Sequence, residues 1–295
     1  MKEPTIRKQK IRRDTVKIRL VIFAVLALAL LLCSLFAEQL CPYDPYDGTL
    51  SNSKLPPSAE HPLGFDRQGR DLLSRVIAGS RTSIFSTLLL VAIITVVGTA
   101  IGVFCGWQGK WVDSLLMRIS DVFLAFPGLV FAMAVAGVLG GGLHNAIIAL
   151  AAISWPKYAR IARSQTLAQK DMPYMRAARL SGSGTGKILV KHVLPNIMGP
   201  ILVTAMLDIG TMMMELAGLS FLGLGSKPPT AEWGNMMKES LKSFEIYPLR
   251  TFAPGVAIFI SVMVFNLLGD TVRDYADPKS RGREAHERNH PLRTR

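Results

Sequence analysis

Apolar residues in this chain gather in long runs rather than alternating with polar ones. Six runs approach the ~20 mostly apolar residues that a helix needs to cross a hydrocarbon core ~30 Å thick. They cover 18–37, 83–106, 119–139, 143–159, 197–219 and 251–269. The first holds one charge, Arg19 at its edge, and the fourth is short, with Trp155 and Pro156 near its end. The pattern predicts an all-α, polytopic membrane protein with six transmembrane helices. A basic stretch precedes the first run, as in a secretory leader. That run exceeds the usual ~7–15 apolar residues, and Glu38-Gln39-Leu40-Cys41-Pro42 follows it in place of a small-x-small cleavage site, so it reads as an uncleaved span.

Charge then orients the spans. The chain carries 34 Lys and Arg against 21 Asp and Glu, a net +13, with 49% hydrophobic residues. If the N-terminus is cytoplasmic, 25 of the 34 basic residues fall in 1–19, 107–118, 157–195 and 271–295, and 9 fall outside. This is the bias of cytoplasmic loops. It places both termini inside and leaves no basic excess that calls for a nucleic-acid partner. The expected organisation is a cytoplasmic basic N-terminus (1–17), a first transmembrane helix (18–37), an extracytoplasmic loop (38–81), a five-helix core (82–270) and a cytoplasmic tail (271–295). The outer loop opens with Pro42, Asp44, Pro45 and Asp47, the mark of irregular chain, before Leu72, Leu73, Val76 and Ile77 take up helical spacing. The inner loop 157–195 is basic and broken at Pro173, at 182–186 and at Pro195. Loops of such length without a purpose are uncommon.

Several motifs carry no chemistry here. His286-Glu287-Arg288-Asn289-His290 matches a zinc-protease pattern but sits in a charged tail before Pro291 with no third ligand. The segment 182–187 lacks the first glycine and the Ser or Thr of a phosphate-binding loop, since Ser181 and Ile188 stand there. The chain is therefore not expected to be an enzyme or to hold a cofactor. Cys33, Cys41 and Cys105 show no metal-ligand or disulfide spacing. Met206, Met212, Met213 and Met214 read as packing, and Arg118 and Asp121 as an intrahelical pair. More informative are Asp208 and Glu215, seven residues apart and so on one face of the fifth span. A charge at mid-bilayer costs at least ~2.5–3.5 kcal/mol, so such groups face a cavity or a partner helix. They read either as the lining of a solute path or as polar glue between helices.

The inner loop reads Tyr174-Met175-Arg176-Ala177-Ala178-Arg179-Leu180-Ser181-Gly182, then nine residues, then His192-Val193-Leu194-Pro195. This resembles the cytoplasmic signature of ABC importer permeases, an E-A-A triplet, three residues, Gly, nine residues and I-x-L-P. Ala177, Ala178, Gly182, Leu194 and Pro195 match; Arg176 stands for the Glu and His192 for the Ile. Gly64-x-Asp66-x-x-Gly69-Arg70-Asp71-x-x-Ser74-Arg75, Ala125-Phe126-Pro127, the 219–225 and 229–234 stretches and Phe265-Asn266-Leu267-Leu268-Gly269-Asp270 resemble the dipeptide, oligopeptide and nickel branch, in particular the second permease of its pair. Leu207-Asp208-Ile209-Gly210 with the Met run resembles the nickel systems. The resemblance implies a type I ABC importer permease fold in a bacterial or archaeal inner membrane. It also implies a paralogous permease, two cytosolic ABC ATPase subunits that hydrolyse the ATP, and an extracytoplasmic solute-binding protein. Arg176, Ala177, Ala178, Gly182, Leu194 and Pro195 would couple to an ATPase, and Asp208 and Glu215 would line the path for nickel or a nickel chelate. Dipeptides or oligopeptides are the alternative solutes. An ion-coupled secondary transporter is a rival reading, but no internal repeat supports it.

Overall fold

Three glycines on one face of a helix set the closest packing in this protein. The computed structural model describes residues 3–276, with side chains from Thr15 onward. Within it α3 (Leu72–Gln108) and α6 (Leu143–Lys170) make the most extensive helix pair. Gly98, Gly102 and Gly106 recur every fourth residue along α3. A Cβ on Gly98 would meet the Trp155 carbonyl and Tyr158, one on Gly102 the Ala159 carbonyl, and one on Gly106 the Arg163 carbonyl and Thr166. Small residues at this spacing let two helix backbones touch, which is how helices associate where lipid removes the hydrophobic drive between them.

The remaining helices are α1 (Glu3–Leu35), α2 (Ala37–Leu40), α4 (Lys110–Ala125), α5 (Gly128–Val138), α7 (Pro173–Leu180), α8 (Thr185–Ile188), α9 (Leu194–Leu222), α10 (Trp233–Ser240) and α11 (Leu249–Ala276). Among the described residues there is no strand. α9 packs on α3, α6 and α11, and α1 lies along α11. One apolar core gathers between α3, α6 and α9 around Leu90, Ile94, Leu150, Ile197 and Ile201. A second sits toward α1, α10 and α11 around Leu72, Ile84, Trp233 and Phe265.

All six predicted runs are helical, and among the described residues four helices are long and apolar enough to cross a membrane: Thr15–Leu35, Leu72–Gln108, Thr185–Leu222 and Leu249–Ala276. The third run is not one straight helix. α4 and α5 meet at a 95° bend, and count as a fifth span if taken together. Pro127 is the cause: it forces Phe126 into extended backbone, φ −96° and ψ 148°. The fourth run is the opening of α6, whose later turns carry Lys157, Arg160 and Arg163, so α6 does not meet the span criterion by itself. The inner loop is also less broken than its prolines suggest. α6 runs on to Lys170, and Pro195 sits in the first turn of α9 behind a π-helical turn, Leu189–Val193. The wider turn accommodates a residue without an amide hydrogen. Asp121 pairs with Arg160 on α6 and not with Arg118, while Asp113 pairs with Arg163. The His286–His290 motif, with the rest of 277–295, lies outside the described residues.

At the end of the bundle where α3 begins and α9 ends, the loop 38–71 and the segment 223–248 form one cover. Asp71 caps α3 by accepting from the Ser74 amide at 2.7 Å. Arg75, 1% exposed, donates to the Pro45 carbonyl at 3.0 Å and stands 3.2 Å from Asp66. Arg70 binds Asp66 at 2.6 Å and reaches Glu239 in the last turn of α10 at 3.4 Å. Arg250 donates to the Phe65 carbonyl at 2.7 Å. Glu232 caps α10 through the amides of Gly234 and Asn235, both at 2.9 Å. Burial pushes its carboxyl above the ordinary range against the pull of those two amides.

Two outcomes are expected. Gly102→Val forces α3 off α6 and lowers stability by about 3 kcal/mol, at the upper end of overpacking effects. The thermal unfolding midpoint in detergent should fall sharply, whereas Gly199→Ala, where nothing lies within 4 Å, should leave it unchanged or slightly raised. Arg75→Met strips Asp66 of one of its two buried partners, a loss on the order of 3 kcal/mol. Limited proteolysis of the detergent-solubilised protein should then cut within 38–71 at protease levels that spare the parent protein.

Candidate functional site

The bend between α4 and α5 opens a cavity of about 250 Å³ against α6 and α9. Each of the two straight helices contributes one stripe at helical spacing: Leu150, Ile153, Ser154 and Lys157 from α6, and Asp208, Thr211, Met212 and Glu215 from α9. The bend supplies Phe123, Leu124, Phe126 and Gly128. Phe123 packs edge-on to Phe131 at 5.8 Å and to Trp155 at 6.0 Å, and Phe126 stacks on Phe131 at 5.7 Å. The wall at the bend is therefore aromatic and internally braced.

Asp208 and Glu215 both reach this cavity, in different states. Asp208 is 4% exposed and fully engaged: Lys157 Nζ lies 2.5 Å from Oδ1, and the Tyr158 hydroxyl donates to Oδ2 at 2.9 Å. Glu215, two turns further along the same face, is half-buried and has no hydrogen bond or ion pair among the described residues. Lys157 itself is 52% exposed. Its ammonium has three donors and spends one on Asp208. The sequence reading placed Lys157 in the inner loop and so missed it. The available signal was the stripe: 150, 153, 154 and 157 keep one face if α6 is read as continuous past Pro156.

The residues matching the permease signature lie elsewhere, at the far end of α6. α7 begins at Pro173, a favoured first helical residue. Met175 and Ala178 turn into the core while Arg176, Ala177 and Leu180 face outward, Leu180 at 89% exposure. Gly182 follows with φ +74°, a left-handed backbone that ends the helix. Arg179 stands over the Trp107 ring at 5.2 Å, and the Tyr174 hydroxyl donates to Gln169 Oε1 of α6 at 2.5 Å. Leu194 packs against the main core, and Pro195 is exposed in the first turn of α9. The residues of the permease signature and the two carboxylates thus occupy separate places joined by the same two helices, α6 and α9. Among the described residues no three His, Cys, Asp or Glu side chains stand close enough to hold a metal ion.

Comparison with known proteins shows the family. Residues 98–282 match the family model described as binding-protein-dependent transport system inner membrane component. The nickel transport system permease protein NikC of Escherichia coli strain K12 is 42% identical over 274 residues, covering 93% of this chain and 98% of that protein. The glutathione transport system permease protein GsiD of Escherichia coli O6:K15:H31 is 40% identical over 279 residues, covering 93% and 90%. A chain of the MetNI methionine ABC transporter in an inward-facing conformation aligns at TM-score 0.49 and 18% identity over 66% of this chain and 94% of that one. The chain belongs to the family of binding-protein-dependent transport system inner membrane components, as an ABC importer permease of the nickel and glutathione (peptide) branch.

Proposed function

We propose that this chain, paired with a paralogous permease, forms the translocation path for nickel or a nickel chelate. The observation that carries the proposal is the near end-to-end match, 42% identical over 98% of its length, to a permease named for nickel transport. A cavity lined by Asp208, Glu215 and Lys157 suits a solute with a cationic centre held among other polar groups, as in a nickel chelate. A second reading, glutathione or another small peptide, is favoured by the 40% identity to glutathione permeases and by the ammonium of Lys157 in the same lining.

In this reading both termini are cytoplasmic and the basic inner segment meets the ATPases. Two cytosolic ATPase subunits supply the energy, one of them docking on α7 through Arg176, Ala177 and Ala178, with Gly182 setting the exit angle and Leu194 and Pro195 opening α9. An extracytoplasmic binding protein delivers the solute to the outer cover built from 38–71 and 223–248. Asp208 and Glu215 belong to the path.

Radiolabelled nickel accumulation at trace metal, in matched cells with and without the gene, tests the solute. Loss of uptake on deletion, unaffected by excess dipeptide, is expected; unchanged nickel uptake with lost dipeptide uptake would move the assignment to peptides. Gly182→Asp tests the docking role. An Asp in the left-handed region is strained by about 1 kcal/mol, and its carboxylate enters the proposed ATPase contact. We expect membrane levels to persist while ATPase recruitment and uptake are lost. Normal uptake by that variant would remove the docking role from α7.

A further inference from the structure

We infer that Lys157 is the specificity-determining charge of the cavity, and that through it the cavity takes a solute carrying a carboxylate together with a cationic centre. The inference rests on the reading of this cavity as the solute path. Its ground is the unequal state of the three charged groups in the lining. Both oxygens of Asp208 are engaged and shielded from water: Lys157 holds Oδ1 at 2.5 Å, Tyr158 holds Oδ2 at 2.9 Å, and the side chain is 6% exposed. Its charge is matched, so it offers a solute little. Lys157 is half-exposed on the lining with two of its three donors uncommitted among the described residues. Glu215 is the one carboxylate of the lining without a partner there, seven residues from Asp208 and so ~10 Å along the helix axis.

The lining therefore presents an ammonium at one level and a free carboxylate about two turns away. A bare divalent cation is poorly served by this pair, because it meets the ammonium and finds one carboxylate where a metal cage needs several. A solute with both signs is served at both ends: its carboxylate accepts from Lys157 in a charge-assisted bond, and its cationic centre faces Glu215. A zwitterionic peptide has this chemistry, and so does a metal ion wrapped in carboxylate-bearing small ligands.

The test uses the assembled transporter in cells, with uptake normalised to permease in the membrane. Three probes are supplied: radiolabelled nickel in non-coordinating buffer, the same nickel with excess glycine, and a labelled dipeptide with uncharged side chains. The parent is expected to prefer one of the carboxylate-bearing probes over nickel alone, and which one identifies the source. Lys157→Met should lower uptake of that preferred probe about tenfold, the scale of one charge-assisted hydrogen bond, with nickel alone much less affected. Lys157→Met with Asp208→Asn removes the pair without leaving a lone buried charge and should show the same selective loss. Lys157→Arg should retain the preference. An equal fall for all probes in both Met variants, or no change in their ratio, would make Lys157 a structural tie and overturn the inference. A parent that prefers nickel alone would overturn it too, while leaving the nickel path standing. A parent that takes up none of the probes would bring down the path reading and this inference together.

Discussion

Backbone contact between α3 and α6 is the constraint on which the rest of the structure depends. With glycine at 98, 102 and 106, α3 presents no side chain to the seam at these points and lies against the carbonyls of Trp155, Ala159 and Arg163 and the Cβ atoms of Tyr158, Ala162 and Thr166. A seam of that kind leaves little freedom to slide or rotate, because any shift drives backbone into backbone. The register it sets for α6 decides where Tyr158 stands, since Gly98 faces the Cβ of that residue. Tyr158, wholly buried, then places its hydroxyl 2.9 Å from Asp208. Lys157, one residue earlier, is turned by the same register toward the cavity. The chemistry of the lining therefore descends from three missing side chains on a helix that contributes nothing to the lining itself.

The charges sort by what surrounds them. Arg81 with Glu38 and Arg160 with Asp121 are exposed on both sides, and pairs of that sort contribute roughly 0–1 kcal/mol. Asp208 and the Asp66–Arg70–Arg75 group are different, being nearly inaccessible to water. For them the relevant quantity is the several kcal/mol lost when one partner of a buried pair is removed. The buried outer group ties the loop before α3 to the segment after α9 and makes a single cover from two sequence-distant pieces. Asp208 ties α9 to α6 at the depth of the cavity. The exposed pairs also span two elements, α2 with α3 and α4 with α6, but water at both partners leaves little energy in the link.

Much of this was legible in the sequence because hydropathy and spacing report directly on burial. All six apolar runs are helices, and the shared face of Asp208 and Glu215 is real. The bend at Phe126–Pro127 was missed because run length says nothing of direction; the signal was the proline itself. The continuity of α6 past Pro156 was missed for the opposite reason. A proline and a following lysine look like an end, yet both fit within a helix whose next turns are held by the seam to α3. The unequal states of Asp208 and Glu215 could not be read at all. They depend on Lys157 and Tyr158, some fifty positions earlier, and the pairing exists only once α6 and α9 are side by side.

That arrangement also shapes how motion reaches the cavity. The two stripes that line it lie on α6 and α9, and these helices flank the segment containing α7. From Lys157 to Lys170 α6 is unbroken helix, ~20 Å of it at 1.5 Å per residue, and the bond from Tyr174 to Gln169 fastens α7 to its end. On the other side the chain passes through the π-helical turn Leu189–Val193 before α9 begins. Departures from the regular hydrogen-bond ladder are where helices bend. α7 is tied to α9 as well, since the Tyr174 hydroxyl also accepts from Asn196 Nδ2 at 3.3 Å. The Lys157–Asp208 contact spans the two helices, so any shift of α6 against α9 at the depth of the cavity must be taken up there.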